Sequence, residues 1–541
     1  MGANVARTKP KVPTVHSRLI GNGNGDEFGS ISTPPPAKEE LPYPRSVFYI
    51  LATEFCERFS FYGMKTILVF YLKYQLDYTE DSATVLYHSW TMLCYFTPII
   101  GALLADLWLG RYKTILWMSI LYLVGNIIVA LSAAPPVVPT ISAQNIVAVF
   151  GLILVAFGTG GIKPCVSAFG GEQFELPQQQ RQLAAFFAVF YFSINFGALL
   201  STLISPILRE DTKCFNDDCY FAAFGLPAML MTLALVVFVS GSPLYKKFPA
   251  TGTIITSTAS CIWLGMKGKM KSMYGKAVRV PHWLDHARAK HDDDMVEDVR
   301  VFTSIMVLFL PLPIFWALFD QQGSRWTFQA SRMDGNIGII EVHPDQIQFI
   351  NPLLILTLVP ILEKWGYPLL AKVGCLTKPL QRVTVGGVLA GVAFAIAAIV
   401  ESQIVTRQAN GDPPLSMMWL IPQYFVITLG EVLFSISGLQ FSFTEAPSSM
   451  KSVMQACWLL TISFGNLIVV FVAVAIKMNS QTAEFALFSC LMMLDMLLFG
   501  VMAHYYQPYK PAKTFNSDSS DESPTIQNGP DLSASGYQPP L

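Results

Sequence analysis

The chain has 541 residues, 52% of them hydrophobic and only 13% charged, with a mean hydropathy of +0.44. Soluble domains carry about 25% charged residues, so a soluble globular fold is excluded and a polytopic membrane protein is predicted. A net charge of -1 argues against nucleic acid as a partner.

Taken in chain order, residues 1–45 are rich in Pro, Gly, Ser and charge and read as a disordered tail, with no secretory signal peptide. The first apolar run, 46–73, is long enough to cross about 30 Å of hydrocarbon, yet it carries Glu54, Glu57 and Arg58. Each uncompensated charge near a helix centre costs roughly 2.5–3.5 kcal/mol on insertion scales. At 100° per residue, Glu54, Glu57, Arg58, Tyr62 and Lys65 share an arc of about 140°. Such a stripe has to face a bundle interior or a water-filled cavity, as in a transport site. Further spans are predicted at 84–108, 113–133, 143–168, 184–206 and 219–240, then at 301–322, 346–370, 382–404, 416–442, 451–476 and 483–506. Two six-span groups, 46–240 and 301–508, flank a basic linker, 241–300, whose stretch 256–273 reads as a lateral or interfacial helix. A second disordered tail follows at 509–541.

Basic residues favour the cytoplasmic side, which places the linker, both tails and the Arg111–Lys113 loop inside. The polar loop holding Cys214 and Cys219 then lies outside. With no CxxC pair or histidine cluster nearby, that loop favours a disulfide over a metal site. The other cysteines lie mostly in apolar runs, where a small buried hydrophobe is the ordinary reading. Six plus six spans with a basic middle loop is the layout of the major facilitator superfamily: an all-α polytopic membrane protein with two pseudo-symmetric bundles. The stretch from Gly101 through Asp106 and Gly110 to Arg111 and Lys113 is similar to that superfamily's short gating motif, although an ordinary tight turn with positive-inside charges would read alike.

More specific residues follow. Glu54, Glu57 and Arg58, with Phe59, Tyr62 and Gly63, resemble the ExxER signature of the proton-coupled oligopeptide transporters. So do Gly158 to Pro164 around Lys163, Phe190 to Gly197 around Asn195, Asp320 to Trp326, and Gly430-Glu431-Val432. The likeness runs from about residue 45 to 508 and is strongest to the animal di- and tripeptide transporters. Two departures stand out. A short stretch near 405–415 replaces the large extracellular insert usual between spans nine and ten. Ser304 stands where close relatives carry an arginine thought to pair with an acid in span eight, here Glu363.

The resemblance implies a symporter importing di- and tripeptides with protons as the coupling ion, with no cofactor and no metal, working as a monomer in a lipid bilayer. A plasma membrane location with both termini cytoplasmic is expected. Arg58, whose planar fork binds a carboxylate bidentately, would hold the peptide carboxylate, with Lys163 as a second positive charge or as a partner of Glu54 or Glu57; a purely structural ion-pair set is the other reading. Glu431, an acid without a basic partner in its own span, is assigned the peptide ammonium, together with Asn195 and Asn351. Those two amides could equally be helix-packing glue. His88, Glu54, Glu57 and Asp320 are the proton-coupling candidates, with Asp320 as partner to His88 across the extracellular gate. A lone histidine can also be purely structural. Tyr62, Tyr71, Tyr95, Trp316, Gln322 and Trp458 complete the expected substrate lining, and Asp106 and Arg111 the gate motif.

No nucleophile–base set, metal cluster or phosphate loop emerges, so an enzyme is not expected. Transport of another small solute such as nitrate or histidine, or a peptide-binding receptor or scaffold that moves nothing, are the alternatives.

Overall fold

The charged first span folds as one helix, α1 (Ser46–Phe70), and continues into a widened π turn at Tyr71–Gln75. The computed structural model describes residues 41–507 apart from 216, 251, 253, 276–279, 339, 340, 375, 477 and 479. The two expected tails lie almost wholly outside the described residues.

Span two is α2 (Glu80–Phe96) and α3 (Pro98–Leu104), jointed at Thr97 where Pro98 has no N–H to give. Spans three to six are α4 (Arg111–Ser132), α5 (Ile141–Gly171), α6 (Gln180–Glu210) and α7 (Tyr220–Ser240). A two-stranded hairpin, β1 (Lys213–Cys214) and β2 (Asp217–Asp218), joins α6 to α7. It is closed by the Cys214–Cys219 disulfide. The linker helix α8 (Ile254–Met273) rests Gly265 on Trp283 and Leu284.

Span seven is a set of three pieces: α9 (Asp293–Phe309), α10 (Leu312–Phe319) and α11 (Arg325–Ala330). It bends by 47° at Leu310 and Pro311. The helix begins eight residues before the predicted boundary, because its first turns carry Asp293, Asp294, Glu297 and Asp298 and read as linker. Span eight is α12 (Ile350–Ile361) and α13 (Tyr367–Lys372), span nine α14 (Pro379–Asn410), and span ten α15 (Ile421–Glu431) and α16 (Ser437–Glu445). Spans eleven and twelve are α17 (Lys451–Phe471) and α18 (Gln481–Tyr505).

Among the described residues ten helices are long and apolar enough to cross a bilayer, eleven with the bent pair of span seven. α1 has the length but holds four ionisable side chains on one turn-spaced stripe, so bulk apolarity passes over it. With it the span count matches the twelve read from the sequence. Among the described residues two large apolar cores form, one from Val47 to Tyr245 and one from Cys261 to Phe499, with Phe328 crossing to join the first, beside a small cluster of Ile355, Val359 and Val432.

Small residues let these helices meet. An ideal Cβ on Gly101 would come 2.5 Å from the Gly161 Cα, and one on Gly386 would come 2.6 Å from the Gly430 carbonyl oxygen. Backbone contact of that kind replaces the hydrophobic drive that lipid removes. Gly110, at φ +73°, makes the turn between spans two and three that few L residues would accept.

Candidate functional site

The polar stripe of α1 fronts a cavity of about 200 Å³ between the two helix groups. Glu54, Arg58, Tyr62 and Lys65 line it from α1, Tyr95 from α2, Lys163 from α5, and Tyr191 and Asn195 from α6. Trp316, Asp320, Gln322, Asn351, Glu431 and Trp458 line it from the other group.

Arg58 sits one helical turn after Glu54 and next to Glu57, and its Nε draws both. Nε donates to Glu54 Oε1 at 2.7 Å and lies 2.9 Å from Glu57 Oε2. The two terminal guanidinium nitrogens make no hydrogen bond among the described residues, and the side chain lines the cavity. Glu57 itself does not line the cavity; it turns back to accept from Thr159 Oγ1 at 3.0 Å.

Lys163 pairs with neither glutamate, contrary to one of the two roles foreseen for it. Arg58 is already in reach of both carboxylates on its own helix, and the Lys163 Nζ instead lies 3.7 Å from the Tyr95 ring centre and 4.2 Å from that of Phe61. That ammonium is held by aromatic faces and makes no hydrogen bond.

Across the cavity, Glu431 ends α15 where the helix widens into a π turn at Val432–Ile436, a feature common at functional sites. Asn351 Nδ2 donates to Glu431 Oε2 at 2.8 Å and to Thr428 Oγ1 at 3.1 Å. No lysine or arginine stands within ion-pair distance of Glu431 among the described residues. Asn195 donates to the Tyr191 carbonyl at 3.1 Å, so its amide oxygen stays available to the cavity it lines.

One aromatic expectation is corrected. Tyr71 does not line the cavity; its hydroxyl meets Ser132 Oγ at 2.8 Å and its ring packs on Tyr220 and Phe224. Nine residues after Tyr62, it points about 180° away on the helix.

His88 is fully buried and lies outside the cavity wall. Its expected partner Asp320 is not in direct contact. His88 Nδ1 meets Asn466 Oδ1 at 2.7 Å and Nε2 meets Ser324 Oγ at 2.8 Å. Asn466 Nδ2 then donates to Asp320 Oδ2 at 2.7 Å, and Lys65 Nζ donates to Asp320 Oδ1 at 2.8 Å. Since the Asn466 oxygen can only accept, Nδ1 carries the proton and Nε2 accepts from the serine, so a neutral ring satisfies every bond. Both contacts come from the other helix group, so the ring lies on the joint between them.

Lys65, Ser324 and Asn466 were not singled out from the sequence as members of this network. Lys65 belongs to the α1 stripe, and Asn466 is one of two side-chain amides, with Gln455, in an otherwise apolar span, so both signals were present.

Further polar ties between the two groups gather at the end of the molecule bearing the disulfide hairpin. Arg325 Nη2 reaches Asp81 at 2.8 Å while its Nε is held by Glu484 at 3.0 Å. Arg209 grips Asp345 with two nitrogens, each at 3.0 Å. At the opposite, linker end, Arg111 pairs with Glu172 rather than with Asp106, and the Asp106 carbonyl takes the Gly252 N–H at 3.2 Å. The Ser304 hydroxyl donates to the Val301 carbonyl within its own helix, so it makes no substitute for an arginine at that position.

The family model described as POT family matches residues 112–502. Solute carrier family 15 member 2 of Mus musculus is 34% identical, over 88% of this chain and 92% of that one. Solute carrier family 15 member 1 of Oryctolagus cuniculus is also 34% identical, with 89% and 96% covered. Peptide transporter family 1 of Drosophila melanogaster is 35% identical, with 88% and 90% covered. Among solved structures, the chain is similar to the crystal structure of the POT family transporter PepTSo, with a TM-score of 0.74, 30% identity, and 86% and 98% of the two chains covered.

Proposed function

Since the chain belongs to the POT family, we propose that its cavity binds di- and tripeptides as zwitterions stretched between Arg58 and Glu431, and that protons drive their import. The observation that carries this reading is that one cavity is lined from different helix groups by the Arg58 guanidinium and by a Glu431 carboxylate with no basic partner among the described residues. The free fork of Arg58, with Lys163 near it, suits a carboxylate bidentately. Glu431, with Asn351 and Asn195, suits an ammonium. In a water-poor site each attraction is worth more than in solution, and a ligand satisfying both pulls the two groups together.

The coupling step follows from the hydrogen-bond chain. A proton on His88 or Asp320 weakens the Lys65–Asp320 tie, and a proton on Glu54 or Glu57 loosens their hold on Arg58. Closure around a peptide and reopening at the other end are then each linked to a protonation. Neutral side chains are accommodated by the walls of Tyr62, Tyr95, Trp316 and Trp458, with Gln322 at one end. In this reading the disulfide end faces outside and the basic linker, with both tails, faces the cytoplasm, in the plasma membrane. The protein acts as a monomer without cofactor, and the two bundles comprise 46–240 and 301–508.

The test is uptake of a labelled dipeptide into vesicles reconstituted with the full chain. Accumulation above equilibrium under an inward proton gradient, abolished by a proton ionophore, is expected. Uptake that only equilibrates, or that ignores pH, overturns proton coupling; binding without uptake makes the protein a receptor.

A further inference from the structure

The linker helix α8 keeps an apolar face that no described residue covers. Its inner face, Thr258, Cys261 and Gly265, is buried. Gly265 and Gly268 leave no room for a Cβ against Trp283 and His286, so the short helical turn Trp283–Ala289 occupies that side. On the other side Trp263, Met266, Met270 and Met273 are between 52% and 77% exposed. At 100° per residue these four share an arc of about 80°. Cys261, Leu284 and Val296 belong to one apolar core, which holds α8 beside the first turns of α9, where span seven begins.

Charge frames the exposed arc. Lys269 borders it on one side and Lys267 and Lys271 on the other, and all three are exposed. The helix itself contains no Asp or Glu. None of the three lysines is in an ion pair among the described residues, whereas the nearby Arg288 and Arg300 are engaged by Asp285, Asp293 and Glu297. Lysine stems lie along apolar surface while their ammonium groups stay in water. A Trp and Met stripe edged by lysines therefore matches the boundary between acyl chains and charged headgroups. With 20 residues α8 has the length of a span, yet it is not among the helices apolar enough to cross a bilayer.

We propose that the exposed face of α8 lies in the bilayer surface at the linker end, and that Lys267, Lys269 and Lys271 bind the headgroups of anionic phospholipids there. Charge and shape favour this occupant over others. A second copy of the chain would bring together two lysine-edged faces with no acid between them. A calmodulin-type protein encloses a basic helix from both sides, and one side of α8 is already packed. A lipid surface needs only the side that is open, and the spans flanking the linker hold it at the membrane. The inference rests on membrane embedding and not on the transport reading.

The test places a spin label on an unnatural amino acid at Met266 of the full chain in nanodiscs. The discs contain phosphatidylcholine alone or phosphatidylcholine mixed with phosphatidylserine. In the mixed discs, collisions with dissolved oxygen should gain on collisions with a water-soluble nickel chelate by about fivefold or more, the factor that one lysine near an anionic surface supplies. Combining Lys267→Gln, Lys269→Gln and Lys271→Gln should erase the difference between the two lipids, and high salt should shrink it in the wild type. Native mass spectrometry of the same two proteins should show phosphatidylserine retained by the wild type and depleted in the triple variant. Equal collision ratios in the two discs, or a wild-type response in the triple variant, overturn the site. Inorganic phosphate added to neutral discs should change nothing; a response equal to that of the lipid reduces the lysines to a general anion patch and overturns it. Shielding by calcium-loaded calmodulin in neutral discs, with no effect of phosphatidylserine, assigns the face to a protein and overturns it too.

Discussion

At the scale of single residues, the proposed site sets opposite charges at the two ends of the cavity. Arg58 is held at Nε and free at its fork, so geometry as well as charge is on offer. Replacing it by lysine keeps the charge and loses the second hydrogen bond, and a charge-assisted bond is worth about 1.5–3 kcal/mol. Arg58→Lys is therefore expected to lower dipeptide affinity about tenfold or more, with the protein still monodisperse in detergent; competition binding on purified protein measures it. Glu431→Gln leaves shape and the Asn351 contact in place and removes the anion. Affinity for a free dipeptide should fall about 10- to 100-fold by the same scale, while its N-acetyl analogue, with no ammonium, should change less than about twofold. Equal losses for both ligands would reduce Glu431 to a helix brace.

At the scale of elements, the cavity residues are aimed by helix packing that only small side chains permit. Gly386 of α14 and Gly430 of α15 meet backbone to backbone, and an ideal Cβ on Gly430 would lie 2.7 Å from the Gly386 carbonyl oxygen. Glu431 is the next residue, so this contact also sets where its carboxylate stands. Overpacking a close contact costs about 1–3 kcal/mol. Gly430→Ala should lower the melting temperature of the detergent-solubilised protein and weaken peptide binding together, and Gly430→Leu should abolish monodisperse protein. An unchanged melting temperature for Gly430→Leu would show that α14 and α15 part freely. The Gly158–Gly161 run does the same for Lys163, by letting α5 lie against Tyr122 and Met118 of α4.

At the scale of the whole molecule, the ties at the disulfide end hold one member of an alternating pair of states. Lys65 and Asp320 are both nearly buried, at 12% and 4% side-chain exposure. Removing one partner of such a pair leaves an uncompensated charge, a loss of about 3–5 kcal/mol. Opening that end lets water reach Asp320, so Lys65→Ala should move the population toward the open form. The distance between spin labels at the exposed positions Ser142 of α5 and Gln408 of α14, measured on the full chain in lipid, is expected to lengthen in this variant at pH 7.5. A distance distribution like that of the wild type would mean that the pair is a fixed strut rather than a gate.

The sequence by itself determined the membrane class, the twelve spans to within a few residues at most ends, and the charged stripe of α1. The reason is physical: lipid tolerates neither unpaired backbone nor stray charge, so length, apolarity and every intramembrane acid or base are conspicuous in one dimension. Glu431 and Lys163 were legible on that ground alone. Tyr71 was legible too, since its half-turn offset from Tyr62 follows from helical spacing. Tertiary structure decided the pairings. Lys65 finds Asp320 across 255 residues and His88 finds Asn466 across 378, contacts that exist only after two separately cored groups dock. Local spacing puts Arg58 in reach of both glutamates on its own helix, but nothing in it encodes that Lys163 would be left to aromatic faces, or that a histidine between spans seven and eight would meet the end of span five. Which charges cancel within a half, and which hold the halves together, is a property of the joint between them.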